Sequence, residues 1–133
     1  LVIQPHRDGA QKQQVSRPVA RSRESQRLGM LFDFLHQHLA ENHSVRSLAD
    51  KVGMSERTFL RRFQEATGKT PARWLLDERL LQAQHHLTTG RDSVERVAEI
   101  TGFGNAKNLR LRFQQHLAIS PLAYRKKFTA TNN

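Results

Sequence analysis

The sequence predicts an all-α protein in which two helix-turn-helix subdomains are joined by one long linking helix, with about seven helices in total. Two observations predict this fold. No segment alternates apolar and polar residues over a sustained run, so no half-exposed sheet is expected. In addition, the stretch GMSERTFLRRF at residues 53–63 resembles GFGNAKNLRLRF at residues 102–113, which indicates an internal repeat of one helical unit.

The first predicted helix follows a polar amino-terminal segment. Residues 1–23 lack helical periodicity and are rich in Gln, Arg and Ser, which predicts a linker or the tail of a missing amino-terminal domain. Apolar residues then recur at helical spacing from Leu28 to Leu39, which predicts a helix from about Ser25 to Glu41. The folded domain is expected over residues 24–130.

The first helix-turn-helix is expected at about residues 45–67. Ser44 is a candidate N-cap for its short first helix, and Gly53 is placed to end that helix in a tight turn. Ser55 then caps the second helix, which Gly68 ends.

A long linking helix is expected at residues 71–88. Thr70 and Pro71 form its start, a capping side chain followed by proline at the first helical position, and Gly90 ends it. Ser120 and Pro121 repeat this start and open the last helix.

The second helix-turn-helix is expected at about residues 94–117. Asp92 or Ser93 caps its short helix, Gly102 makes its turn, and Asn105 opens its longer helix. The two units align at an offset of 49 residues in the short helix and 50 in the longer one. A helical solenoid would also repeat a helical unit, but solenoids usually need three or more copies for stability.

The buried side of each longer helix fixes which residues face outward. Phe59 and Phe63 define the core side of the first, and Leu109 and Phe113 define that of the second. Long polar or cationic side chains then lie opposite, as a helix that enters a DNA groove requires. The outward residues are Arg57, Arg61 and Gln64 with Leu60 at the edge, and Lys107, Leu111 and Gln114 with Arg110 at the edge.

Composition favours nucleic acid as the partner. The 133 residues carry a formal net charge of +10, which is typical of nucleic-acid binders and is shared by basic membrane-surface proteins. The absence of cysteine excludes disulfides and most structural zinc sites, and fits a reducing, cytoplasmic location. No apolar run approaches the length of a membrane span.

Enzymatic chemistry is not expected, and neither is a cofactor, a metal or a membrane partner. No G-x-S-x-G, P-loop or GxGxxG motif occurs, and the paired histidines are not at ligand spacing on one helix face. Two other readings stay open: a helical protein-interaction domain without nucleic acid, and a basic protein on an anionic membrane surface.

Two long segments resemble the AraC/XylS family of bacterial transcription regulators. They are SLADKVGMSERTFLRRFQEATGKTPARWL and VERVAEITGFGNAKNLRLRFQQHLAISPLAYRKKF, and the resemblance covers about residues 25–128. It implies that one molecule inserts two recognition helices into successive major grooves of double-stranded DNA. RNA polymerase and an amino-terminal effector-sensing domain are the further partners it implies.

The resemblance, taken together with the outward faces, gives the expected contact residues. The residues expected to read bases are Arg57, Leu60, Arg61, Ala106, Lys107, Arg110 and Leu111. The residues expected to contact phosphates are Ser44, Arg62, Gln64, Ser93, Asn108, Arg112 and Gln114.

A shorter match and two departures from the family pattern refine this expectation. The segment from His6 to Val15, together with RWLLDERLLQAQ, resembles the subfamily whose amino-terminal domain has a DJ-1/PfpI-like fold. Ala118 stands where the family often has glycine, so a strained turn is expected there. Leu111 stands where some members have arginine, so the second helix is expected to read methyl groups more than guanine.

Overall fold

The computed structural model describes the backbone of residues 19–131 and the side chains of residues 23–129. All regular secondary structure in this part of the chain is helical, which confirms the expected all-α fold with two helix-turn-helix pairs and a long helix between them. The seven helices are α1 (Val19–Gln37), α2 (Val45–Lys51), α3 (Glu56–Thr67), α4 (Pro71–Thr89), α5 (Val94–Ile100), α6 (Ala106–Leu117) and α7 (Pro121–Thr131).

Helix α1 differs from its expected bounds. It begins at Val19 rather than near Ser25, and it ends at Gln37 rather than near Glu41. No apolar periodicity in the sequence indicates this early start. The first turns contain Ala, Arg and Glu, which are good helix formers. The expected boundary between linker and domain therefore falls inside α1, and residues 1–18 lie outside the described part of the chain.

The expected N-caps of the short and long helices are confirmed. The Ser44 hydroxyl accepts from the Ser47 amide at 3.0 Å, and the Ser55 hydroxyl caps α3 in the same way. Ser93, rather than Asp92, caps α5. Asn105 caps α6, where its side-chain oxygen accepts from the Asn108 amide at 2.9 Å.

The two longer helices of the repeat end in the same left-handed conformation on different residues. Gly68 ends α3 with φ 75°, and Ala118 ends α6 with φ 57° and ψ 32°. Ala118 is the one described residue other than glycine with a positive φ. The expected strain is therefore present, because a β-carbon disfavours this conformation.

The chain divides into two units, and α4 begins in the first and continues into the second. The first unit, which holds α1–α3 and the start of α4 to Trp74 but not residues 38–42, has an aromatic core. Phe32 lies 5.3 Å from Trp74 and 5.4 Å from Phe63 between ring centroids, and Phe59 lies 5.6 Å from Phe63. This cluster fixes the rotation of α3 about its own axis.

The second unit, which holds residues 38–42, most of α4 and α5–α7, has a largely aliphatic core that includes the rings of Phe103, Phe113 and Tyr124. Leu80, Leu109 and Phe113 are buried in it together. Phe113 meets the ring of Tyr124 edge-on at 5.7 Å. This cluster fixes the rotation of α6 as the aromatic cluster does for α3.

Candidate nucleic-acid interface

Helix α3 presents a polar face directly away from its buried residues. Phe59 and Phe63 are fully buried, and Arg57, Leu60 and Arg61 are exposed on the other side, Leu60 to 40%. Gln64 is exposed as well. The outward face expected from the spacing of the phenylalanines is therefore the face that the fold leaves open.

Helix α6 repeats this arrangement. Leu109 and Phe113 are fully buried, while Lys107, Arg110 and Gln114 are exposed. Leu111 is 52% exposed, which leaves a large apolar side chain in the middle of a cationic face. An isobutyl group at this place offers van der Waals contact to another apolar group such as a thymine methyl.

The cations on both faces have no internal counter-charge. Arg57, Arg61, Lys107 and Arg110 form no ion pair with any other described residue. No acidic residue occurs in α6. These guanidinium and ammonium groups are therefore available to acceptors outside the protein.

Ala106 differs from the other residues expected to read bases. It is the first residue of α6, directly after the Asn105 cap, and only 6% of it is exposed. Because its methyl group belongs to the core side of the helix, Ala106 offers almost no surface to a base edge. The base contact expected of Ala106 stays a prediction, with little exposed surface to make it.

Several expected phosphate contacts already serve as helix caps or braces. The hydroxyls of Ser44 and Ser93 each accept from a backbone amide, at 3.0 and 3.1 Å. A hydroxyl that accepts at its oxygen still has its own hydrogen to donate. Asn108 donates from Nδ2 to the Phe103 carbonyl at 3.2 Å, which leaves the second amide hydrogen free for another acceptor.

Arg62 and Arg112 occupy matching positions in the repeat but have different surroundings. The Nε of Arg62 lies 3.0 Å from Glu24 Oε1, and its Nη1 lies 3.1 Å from Glu65 Oε1. Arg112 is exposed and donates to the neutral Gln115 side chain at 3.4 Å. The structure therefore provides a free flanking cation on α6 and a paired one on α3.

Two further arginines donate hydrogen bonds to backbone carbonyls at or just after the ends of α1 and α4. The sequence patterns did not identify these contacts. Arg79 donates from Nε to the Leu39 carbonyl at 2.8 Å and from Nη2 to the Glu41 carbonyl at 2.9 Å. It thereby holds the chain that leads into α2. Burial without a described counter-charge lowers the pKa of Arg79 from its usual value.

Arg125 has the same role at the second helix-turn-helix. It donates from Nε to the Leu87 carbonyl at 2.9 Å and from Nη2 to the Asp92 carbonyl at 2.5 Å, next to the Ser93 cap of α5. Arg79 and Arg125 are 46 positions apart, so neither repeat offset aligns them. No local pattern could have identified carbonyl partners more than 30 residues away.

The histidines and carboxylates do not build a metal site in the described part of the chain, where no group of three or more has the needed geometry. No described helix combines the length and apolar character that crossing a bilayer requires.

Comparison with known proteins identifies a family that matches this chain. Residues 48–127 match the family model described as a helix-turn-helix domain. The HTH-type transcriptional activator RhaS of Citrobacter koseri is 37% identical over 95 residues, which are 71% of this chain and 34% of that protein. The chain thus spans about a third of the length of the curated relatives it matches.

Solved structures give the same result. The DNA-binding domain of AdpA, a global transcriptional factor determined in complex with a target DNA, has 41% identity and a TM-score of 0.75, over 79% of this chain and 95% of that one. An AraC-type transcriptional regulator from Chromobacterium violaceum shares the fold at 24% identity, with a TM-score of 0.69 over 76% of this chain and 90% of that one.

Proposed function

Because the chain belongs to the AraC/XylS family of helix-turn-helix proteins and corresponds to its carboxy-terminal domain, we propose that it binds double-stranded DNA sequence-specifically as part of a bacterial transcription regulator. One observation carries the proposal beyond family membership. Both recognition helices, α3 and α6, present cations that form no ion pair with a described residue, on the face opposite a fully buried core. A solvated basic face with no partner would not need the same placement twice.

The first recognition helix is suited to guanine. Arg57 and Arg61 lie one helical turn apart on the open face of α3. A guanidinium can donate two parallel hydrogen bonds to O6 and N7 of guanine in the major groove. Leu60 at the edge of this face adds apolar contact.

The second recognition helix combines charge with an apolar reader. Lys107 and Arg110 flank Leu111, whose exposed isobutyl group suits the methyl group of thymine. Leu111→Arg should therefore shift the preferred base at one position from thymine to guanine.

Phosphate contacts would set the register of both helices. Gln64, Arg112 and Gln114 are exposed beside the reading faces, and the N-cap hydroxyls Ser44 and Ser93 retain a donor. The two helices would enter successive major grooves, about one helical turn or ~10 bp apart.

The rest of the proposal concerns the whole protein. We expect an amino-terminal effector-sensing domain, of DJ-1/PfpI-like fold, to control this domain, and RNA polymerase to be its protein partner in the cytoplasm. The curated relatives are about three times as long as the stretch they share with this chain, which leaves room for a further domain in the whole protein. This chain alone should then bind DNA without any effector.

A pair of substitutions tests the assignment of the two kinds of contact. Arg61→Ala should cost about 1–3 kcal/mol on the preferred site and relax the preference at one base position. Arg112→Ala should weaken all sequences about equally and make the salt dependence shallower by roughly one. Fluorescence anisotropy against a panel of single-base variants measures both. Exchange of the two outcomes would show that the helix faces are assigned wrongly.

A further inference from the structure

The carboxylate of Glu24 lies on α1, far in sequence from the recognition helix that it contacts. Its Oε1 is 3.0 Å from Arg62 Nε, and the two side chains are only 22% and 17% exposed. Both contacting atoms are shielded from solvent, and neither makes a well-aligned hydrogen bond. The contact is therefore a half-buried ion pair and not a directed hydrogen bond.

Glu65 completes the surroundings of Arg62. It lies one turn further along α3 and accepts from Arg62 Nη1 at 3.1 Å, with its own side chain 48% exposed. Arg62 thus carries one positive charge between two carboxylates. At the matching position of α6, Arg112 has only the neutral Gln115 beside it.

The two carboxylates beside Arg62 oppose its transfer to a DNA phosphate. To reach a phosphate, its guanidinium would have to leave the Glu24 oxygen, which is shielded from water and pairs with no other described residue. Loss of the counter-charge would leave this shielded oxygen without solvation, which disfavours the released state. Glu65 alone would hold Arg62 less firmly, because exposed ion pairs are worth little.

We propose that Glu24 is a positioning residue for DNA binding, which acts by holding Arg62 on the protein, so that Arg57 and Arg61 are the cations through which α3 contacts DNA. The inference rests on the proposed function. The two recognition helices would then differ in their roles. Helix α3 contributes base contacts without a flanking cation for phosphate, whereas α6 supplies a cationic phosphate contact through Arg112.

The separation affects specificity directly. Phosphate contacts strengthen binding to every sequence, whereas base contacts strengthen binding to one. A free Arg62 would raise the affinity for all duplexes together. By restraining Arg62, Glu24 keeps the non-specific affinity of the first helix-turn-helix low relative to its specific affinity.

The test is the salt dependence of duplex binding by Glu24→Gln, measured in parent and Arg62→Gln backgrounds. Glutamine keeps the size of the side chain and removes the charge. A released Arg62 that neutralises one more phosphate should steepen the slope of log K against log salt by about 0.9, a further ~3.5-fold loss of affinity between 50 and 200 mM salt. In the Arg62→Gln background, the slope should not change.

Each other outcome is decisive. An unchanged slope for Glu24→Gln would overturn the proposal, and so would an equal steepening in both backgrounds, because the effect would then be a general loss of negative charge. If Glu24→Gln does not fold, Arg62→Gln alone decides: the parent slope is expected, and a slope shallower by about 0.9 would show that Arg62 already contacts a phosphate. A parent protein that binds no duplex at all would instead refute the proposed function.

Discussion

Ala118→Gly should stabilise the protein, since this alanine holds a conformation that glycine adopts freely. Its φ of 57° and ψ of 32° place it in the left-handed region at the end of α6. That region costs a non-glycine residue about 1–2 kcal/mol. Glycine loses about 0.5–1 kcal/mol more backbone entropy on folding, so the net gain is about 0.5–1 kcal/mol. The methyl group of Ala118 is exposed and contributes little burial.

The chain contains its own reciprocal control. Gly68 ends α3 at φ 75° and ψ 9°, and a β-carbon added there would meet no atom within 4 Å. Gly68→Ala should therefore destabilise by about the same 0.5–1 kcal/mol through conformation alone. Urea unfolding followed by circular dichroism at 222 nm measures both, with expected midpoint shifts of roughly 0.3–0.7 M in opposite directions. Two midpoint shifts of the same sign would show that the left-handed conformation does not set the preference for glycine at these two positions.

Two further predictions concern stability. Gly102→Ala should cost at least about 2 kcal/mol, because its β-carbon would lie 2.5 Å from the Leu39 carbonyl oxygen and 2.6 Å from Arg79 Nε at a φ of +95°. Gly104→Ala, also at positive φ but with no neighbour within 4 Å, should cost only about 1 kcal/mol; equal costs in urea unfolding would argue against the close contact. Trp74→Ala should cost about 3–5 kcal/mol, because the indole is fully buried in the aromatic core. A loss below about 1 kcal/mol would mean that this core can rearrange around the gap.

The local signals in the sequence were sufficient for the helices and their faces. Ser44, Ser55 and Asn105 cap the helices that they were expected to cap, because capping depends on residues three positions apart. The faces of α3 and α6 followed from two buried residues each, because helical geometry repeats every 3.6 residues. Ala118 could be identified as strained because Gly68 stands at the matching position.

The missed contacts that bear most on the interface are long-range. Glu24 pairs with a residue on α3, and Arg79 bonds to carbonyls near the end of α1. Neither partner follows from spacing, because only the folded chain brings these positions together. The start of α1 at Val19 was missed for a different reason. Its first turns are polar, so helical propensity had no apolar pattern to support it.

Selection of bound sites from random duplex DNA measures whether this chain reads double-stranded DNA with two recognition helices. Two recognition helices should enrich a sequence with two half-sites about 10 bp apart, one of them rich in guanine for Arg57 and Arg61. Binding to that sequence should fall with salt at a slope near −5, as expected if ~6 phosphates are neutralised. No enriched sequence, together with a slope shallower than about −2, would contradict it and favour a helical protein-interaction domain.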